Sequence, residues 1–302
     1  MDSGQMVGIV LVNYNGISFI IDCLNTLLQI DYKDKIIVVV DNASTDGSPE
    51  HIIANYPSVK LLRLYSNQGF SGGNNAGIRW CLENGCDYLL LLNTDTLVNP
   101  AFLQCMMEHT ERDCLIVPKI YSQENKAELN NIIGSFDYYR GISVPWFYGK
   151  EDSIESNKTR FATMASACAL LIPRQIFEAI GLFDELYFLY WEDTDLIKRA
   201  LNHGARIKFV PGAVLYHNES SSTGGRASAL SLYYNHRNRL YFMFKHQKNK
   251  FALAVFLLYF LVSRVIYVFK YTLRGEMKYI IAISRGIADF FKGKMGKMAS
   301  EP

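Results

Sequence analysis

Residues 88–98 read YLLLLNTDTLV, five apolar side chains that break into Asn93-Thr94-Asp95-Thr96. A short apolar run between polar neighbours fits a strand buried on both faces, as in a parallel sheet covered by helices. Its polar end has two readings. Asn, Asp and Thr form turns in their own right. Ligands also collect at the carboxyl ends of strands in open α/β sheets, which makes Asp95 a candidate metal ligand.

Working outward, VGIVLV (7–12), IIVVV (36–40) and VKLLRLY (59–65) repeat the apolar-run pattern. Between them lie a helical stripe of Phe19, Ile20, Cys23, Leu24, Leu27 and Leu28, a short helix through His51 to Asn55, and a helix near Ala76 to Glu83. Strands alternating with helices on short loops predict a doubly wound, mainly parallel α/β sheet flanked by helices, Rossmann-like in outline. Downstream the pattern predicts a helix from Pro100 to about Arg112 and a strand at 115–121. A polar, irregular stretch follows (122–160), with an aromatic patch at Tyr138, Tyr139, Trp146, Phe147 and Tyr148. Next come a strand at 168–173, a helix from Glu192 to Gly204, separate strands at 207–210 and 213–217, and a Ser/Gly stretch at 220–225.

Of the 302 residues 49% are hydrophobic and 20% charged, which indicates a globular chain with a sizeable core and excludes a disordered one. The chain opens directly into an apolar strand pattern, so a secretory signal is not expected. Cys23, Cys81, Cys86, Cys105, Cys114 and Cys168 form no C-x-x-C pair and read as reduced core thiols of a cytosolic protein. Charge is unevenly placed. Residues 226–302 carry 14 Lys and Arg against three acids, leaving 17 basic and 26 acidic residues for the rest. Within this basic tail, FALAVFLLYFLVSRVIYVF (251–269) is apolar around its circumference apart from Ser263 and Arg264. Basic residues flank it across 237–278, which predicts a helical extension at an anionic membrane surface, lying on it rather than spanning it. The alternative is a buried core helix. Nucleic acid is not expected, since no recognised binding module is present.

Four constellations carry candidate chemistry. NQGFSGGNNAGI (67–78) reads as a Gly-rich loop before a helix, where backbone N–H groups could approach an anion. It is neither a G-x-G-x-x-G fingerprint nor a P-loop. In DNASTDGS (41–48), Asp41 ends a strand and could bind a base or ribose, or serve an Asx-turn. YWEDTDLIKRA (190–200) sets Glu192, Asp193 and Asp195 in the first helical turn. They could serve the helix dipole, or raise one another's pKa so that one becomes a general base. His217 ends a strand beside the Ser/Gly stretch and is either structural or a ligand.

In order, VNYNG, DNASTDGS, NQGFSGGNNAGI, LLLLNTDT, GLFDELYFLYWEDTDL and YHNESSS resemble the motifs of family-2 glycosyltransferases over roughly residues 6–245, nearest the bacterial rhamnosyltransferase-like members. The resemblance implies a GT-A fold, a nucleotide-sugar donor, a divalent cation (Mg²⁺ or Mn²⁺) and inversion at the anomeric carbon. It divides the chain into a nucleotide-sugar-binding half (1–100), an acceptor-binding and catalytic half (101–225) and the C-terminal extension (226–302). It implies donor contacts from Asn13, Tyr14, Asp41, Asn67, Gly72, Gly73 and Asn74. Asn93 would occupy the first position of the family's Asp-x-Asp motif, binding ribose or water, with Asp95 as the metal-binding member. Asp193 would be the catalytic base and His217 a metal or diphosphate contact; Arg237 and Asn238 match a recurrent pair to which no role attaches. The implied activity is transfer of a sugar, from dTDP-rhamnose or a UDP-sugar, to a hydroxyl of a saccharide or lipid-linked acceptor in surface polysaccharide assembly. The expected location is the cytoplasmic face of the cell membrane. The alternative is an inactive membrane-associated donor-binding or scaffold protein.

Overall fold

Apolar runs that alternate their side chains between two helical layers build the centre of the sheet. The computed structural model describes residues 4–218 and 228–299; the Ser/Gly stretch at 220–225 lies outside them. Strands β1 (Val7–Asn13), β2 (Lys35–Asp41), β3 (Lys60–Arg63) and β4 (Tyr88–Leu92) are connected by helices α1 (Ile17–Leu28), α2 (Ser48–Asn55) and α3 (Gly69–Glu83). Then come β5 (Thr96–Val98), α4 (Phe102–Met107) and β6 (Cys114–Ser122). Short strands follow: β7 (Glu128–Leu129), β8 (Ile133–Asp137), β9 (Ile142–Pro145), β10 (Lys150–Glu151), β11 (Arg160–Ala162) and β12 (Met164–Ala165). β13 (Ala169–Pro173), α5 (Arg174–Ile180), α6 (Glu192–Asn202) and β14 (Arg206–His217) complete the sheet region. Helices α7 (Ala229–His246), α8 (Lys250–Leu273) and α9 (Met277–Phe291) form the C-terminal extension.

The sheet runs β10-β7-β6-β13-β4-β1-β2-β3, with β14 beside β6 and β5 and β11 beside β14. β4, β1, β2 and β3 are parallel, whereas β13 enters antiparallel to both β4 and β6. The sheet is therefore mixed: its first half is parallel, β13 runs antiparallel, and β14 returns parallel to β6. Both faces of the centre are buried. Ile9, Leu11, Leu90 and Leu92 meet α1 through Ile20, Cys23 and Leu24, while Val10, Leu89 and Leu91 meet Ile78 and Cys81 of α3. Each such side chain contributes about 1.5–3 kcal/mol by leaving water.

Four local expectations change. The Gly-rich segment is not a loop, because α3 begins at Gly69. A Cβ on Gly73 would stand 2.6 Å from Val12 Cγ1, and one on Gly77 2.4 Å from Val10 Cγ1. These glycines let the helix lie against the sheet. The two strands at 207–217 are one, β14, whose register against β6 shifts between Val210 and Val214. The helix expected over 100–112 is confined to Phe102–Met107. The stretch 122–160 is not irregular throughout, since β8 pairs with β9 and β12 in a separate small sheet.

α8 is not a core helix. It buries one stripe, Ala252, Phe256, Phe260, Arg264 and Tyr271, and leaves Leu261, Val265 and Phe269 more than 60% exposed. Its mean hydropathy reaches 2.3. α9 packs on α7, and the chain beyond it returns to the body where Gly296 N donates to the Leu186 carbonyl.

Candidate active site

The polar ends of β1, β2 and β4 meet at one edge of the sheet. Asn13 and Asp41 are register partners at the ends of β1 and β2, and both are buried. Asn13 Nδ2 donates to Ser48 Oγ at 2.7 Å and Ser44 Oγ at 3.1 Å, while its Oδ1 has no hydrogen-bond partner among the described residues. Tyr14 beside it is half exposed. Asn67 turns inward on its own chain, its Oδ1 accepting from Gly69 N at 2.8 Å at the start of α3. Gly72, Gly73 and Asn74 are buried within α3, and Asn74 Nδ2 donates to the Phe70 carbonyl. The backbone amides of this segment are engaged in helix, contrary to the expected anion-cradling loop.

A cavity of about 620 Å³ opens beside this edge, lined by Asn93, Asp95, Cys168, Glu192, Asp193 and His217 among others. Two turns of chain bring the first pair together. β4 stops at Leu92, and the chain turns back through Asp95 into β5, which pairs with the end of β14 so that Thr96 faces His217. His217 Nε2 lies 3.2 Å from Asp95 Oδ1, both side chains about nine-tenths buried. Asn130 Nδ2 stands 3.4 Å from the other ring nitrogen. Burial opposes protonation of His217, but Cys168 and the Asp95 carboxylate outweigh it and raise its pKa above the ordinary value.

Across the cavity, α6 presents its first turn. The approach to it is strained: Phe188, Tyr190 and Trp191 have φ of 64°, 66° and 77°, a region disfavoured for bulky side chains. α7 holds this backbone in place. Asn238 Nδ2 reaches the carbonyls of Tyr187, Leu189 and Tyr190 at 2.8–2.9 Å, and Arg237 Nη2 reaches that of Tyr187 at 3.2 Å. The Arg237–Asn238 pair thus has a structural role in shaping the entry to α6.

The three acids of that turn are not equivalent. Asp193 Oδ1 accepts from Thr194 N at 2.6 Å and Thr194 Oγ1 at 3.1 Å, and Oδ2 accepts from Ala167 N at 3.2 Å. Burial raises its pKa despite those bonds. Burial, then Asp193, raises Glu192 well above the carboxylate range, and Glu192 Oε2 has no partner among the described residues. Asp195 faces away toward Arg199 Nε at 2.8 Å, Lys245 Nζ at 2.7 Å and His246 Nε2 at 2.7 Å. Burial works against its charge, but His246, Arg199 and Lys245 hold its pKa below the ordinary value. The expected mutual elevation of three like charges is corrected accordingly. Burial dominates for Glu192 and Asp193, and Asp195 is neutralised by α7. Residues not singled out from sequence are Asn130, Tyr190, and Ser231 and Asn235 of α7, which line the cavity or touch His217. Only the unassigned Arg237–Asn238 pair hinted that α7 belonged here.

One carboxylate and one imidazole facing each other in a cavity form a donor set suited to Mg²⁺ or Mn²⁺. Among the described residues no cluster of three or more His, Cys, Asp or Glu side chains could hold a metal. The pair alone would leave most of a cation's coordination to ligands from outside the described residues.

Such a half-parallel sheet, with a buried carboxylate–imidazole pair at the strand ends and acids at a helix start, defines a GT-A-like α/β protein. The chain belongs to glycosyl transferase family 2, whose sequence model matches residues 8–181. It is 26% identical to N-acetylglucosaminyl-diphospho-decaprenol L-rhamnosyltransferase of Mycobacterium tuberculosis, over 68% of this chain and 74% of that protein. It is 24% identical to dTDP-rhamnosyl transferase RfbF of Shigella flexneri, over 64% of each chain. GalNAc-T7, solved with UDP, GalNAc and Mn²⁺, shares the fold at a TM-score of 0.59 and 15% identity, covering 78% of this chain and 48% of that one. S. aureus TarS 1–349 shares it at a TM-score of 0.56 and 16% identity, covering 94% and 80%.

Proposed function

We propose that this protein is an inverting glycosyltransferase that moves a rhamnosyl or other hexosyl group from a nucleoside-diphosphate donor to a hydroxyl of a saccharide or lipid-linked acceptor, in surface polysaccharide assembly. The observation that carries this reading is the joint placement of Asp95, His217, Glu192 and Asp193 around one cavity of a family-2 fold.

The donor base and ribose would lie along the strand ends at Asn13, Tyr14, Asp41 and Asn67, with Asn93 toward the ribose or its water and the Gly72–Asn74 turn of α3 behind them. Asp95 and His217 would hold the divalent cation, which supplies charge neutralisation for a leaving diphosphate. Asp193 would accept the proton of the acceptor hydroxyl as that oxygen forms its bond to the anomeric carbon from the face opposite the diphosphate. One displacement of this kind inverts the centre. The bonds from Ala167 N and Thr194 fix the carboxylate's direction, while burial keeps it basic enough to take the proton. The exposed apolar side of α8 and its basic ends would place the protein on the inner face of the membrane, where a lipid-linked acceptor is found.

The test is Asp193→Asn, assayed for sugar transfer with a panel of nucleotide-sugars. Transfer should fall by about 10²–10⁴-fold, while the thermal stabilisation given by the donor with Mn²⁺ stays within twofold of its original affinity. Retained transfer in a folded variant would remove Asp193 as the base.

A further inference from the structure

Burying a guanidinium without a counter-charge is costly, and burying two side by side more so. The α7–α8 contact does this. Arg239 and Arg264 are each 9% exposed. Both guanidinium groups stand over the Phe260 ring, at 5.4 and 4.8 Å from its centre. The groups that bear most on them electrostatically are each other, His236 and the phenols of Tyr259, Tyr267 and Tyr271, with Tyr259 also hydrogen-bonded to Arg239. Among the described residues neither guanidinium forms an ion pair with a carboxylate. Arg239 Nη2 donates to the Arg140 carbonyl, and Arg264 Nη2 to Ser263 Oγ at 3.2 Å. Arg239 Nε, Arg264 Nε and His236 Nε2 have no hydrogen-bond partner among the described residues. His236 Nδ1 donates to the Leu232 carbonyl, which leaves Nε2 as the bare lone pair of a neutral ring. Burial first, then Arg264 and Arg239, depress the His236 pKa to about 3.

The aromatic rings account for part of this arrangement, since a cation–π contact contributes roughly 0.5–2 kcal/mol. A ring face carries no net charge, however, and cannot satisfy an in-plane N–H. Two cations with two unmatched Nε–H donors converge as they would on an anion with several acceptor oxygens. The His236 lone pair faces the same cations and offers nothing to an anion. Position narrows its identity. Arg239 lies four residues after Asn235 and so on the same face of α7, about 6 Å along the axis; Asn235 lines the catalytic cavity. Arg264 projects from the buried stripe of α8, whose other side exposes Leu261, Val265 and Phe269. The exposed Tyr259 and Tyr267 rings, which flank the guanidiniums, connect the pair with the surface. Bulk lipid headgroups need nothing buried, because Lys270, Arg274 and Lys278 already stand exposed around the junction of α8 and α9.

We propose that Arg239 and Arg264 bind the diphosphate joining an acceptor saccharide to its lipid, with the saccharide in the catalytic cavity and the apolar chain along α8. Two guanidiniums match the two negative charges of a disubstituted diphosphate. The inference deepens the proposed acceptor class and rests on that reading, but its test reads binding alone and leaves Asp193 untouched.

The experiment uses the full chain in the presence of a chelator, which removes metal-assisted diphosphate binding at Asp95 and His217. The probes for thermal stabilisation are farnesyl diphosphate, inorganic pyrophosphate, farnesol and dihexanoyl phosphatidylglycerol. Farnesyl diphosphate should stabilise the protein most, and Arg239→Gln and Arg264→Gln should each weaken its binding at least tenfold. An equal shift with pyrophosphate or farnesol would show that charge and chain are not recognised together and overturn the proposal. An equal shift with the phosphatidylglycerol would assign the site to headgroups and overturn it as well. So would no shift at all, or a shift that persists in both variants. If the variants do not fold, the ranking of the four probes on the unaltered protein decides.

Discussion

Three acidic side chains within four residues take three electrostatic states, and their surroundings explain each. Asp193 is raised mainly by burial, so the pH dependence of transfer has a definite sign. A general base works ionised, and activity should fall as pH drops through its pKa. The acidic limb of kcat should therefore lie above 3.8, the ordinary aspartate value; a limb at or below that value in folded protein would contradict the assignment. Asp195 behaves oppositely. Its pKa is lowered in the folded state, so its stabilising contribution is present above 3.8 and is lost as pH falls below it. Asp195→Asn leaves Arg199 and Lys245 without their buried counter-charge and should cost about 3–5 kcal/mol in denaturant unfolding at pH 7. The variant should also lose the part of the acid sensitivity below pH 3.8 that Asp195 supplies. The density of acids at 192–195 is plain in the sequence, but their separation into two elevated carboxyls and a structural anion is not. It depends on Lys245 and His246, some fifty residues away.

At the scale of elements, the central strands are legible because each is a continuous apolar run that needs no distant partner to be recognised. α3 is not legible in the same way. Four glycines and several asparagines in NQGFSGGNNAGI carry the local signature of a loop, and only the nearness of Val10 and Val12 explains why a helix needs them. Gly73→Ala tests this account against helix propensity. Alanine is the better helix former by about 1 kcal/mol, yet its Cβ would sit 2.6 Å from Val12 Cγ1, on a stiff β-branched side chain. Overpacking should win, with a net loss of about 1–3 kcal/mol in stability, read from the denaturant midpoint at unchanged slope. A gain would mean that the helix can lift from the sheet at little cost. The single strand β14 was obscured for a related reason, since Pro211-Gly212 looks like a turn but is absorbed as a register shift against β6.

For the whole molecule, the C-terminal extension is both a structural part of the site and its outward-facing apolar surface, so these two roles need separate tests. Cutting the chain before Phe251 would remove α8 and α9 together. That cut discards α9 from its packing on α7, along with the Gly296 carbonyl that accepts from Arg237 Nη1 at 2.8 Å. It would thereby loosen the Arg237–Asn238 hold on the approach to α6, and lost solubility or activity would have two causes. Substitution on the exposed side avoids this. Leu261, Val265 and Phe269 lie at i, i+4 and i+8 on one face of α8, opposite the stripe that packs on the body. Changing all three to Gln removes apolar area from solvent contact alone, so the melting temperature should move by no more than about 2 °C, as expected for surface changes. Binding to sedimented phospholipid vesicles should drop at least tenfold, because apolar burial in the interface is the main term holding such a helix there. Unchanged vesicle binding in the triple variant would move the attachment to the basic residues alone, and high salt would then release it.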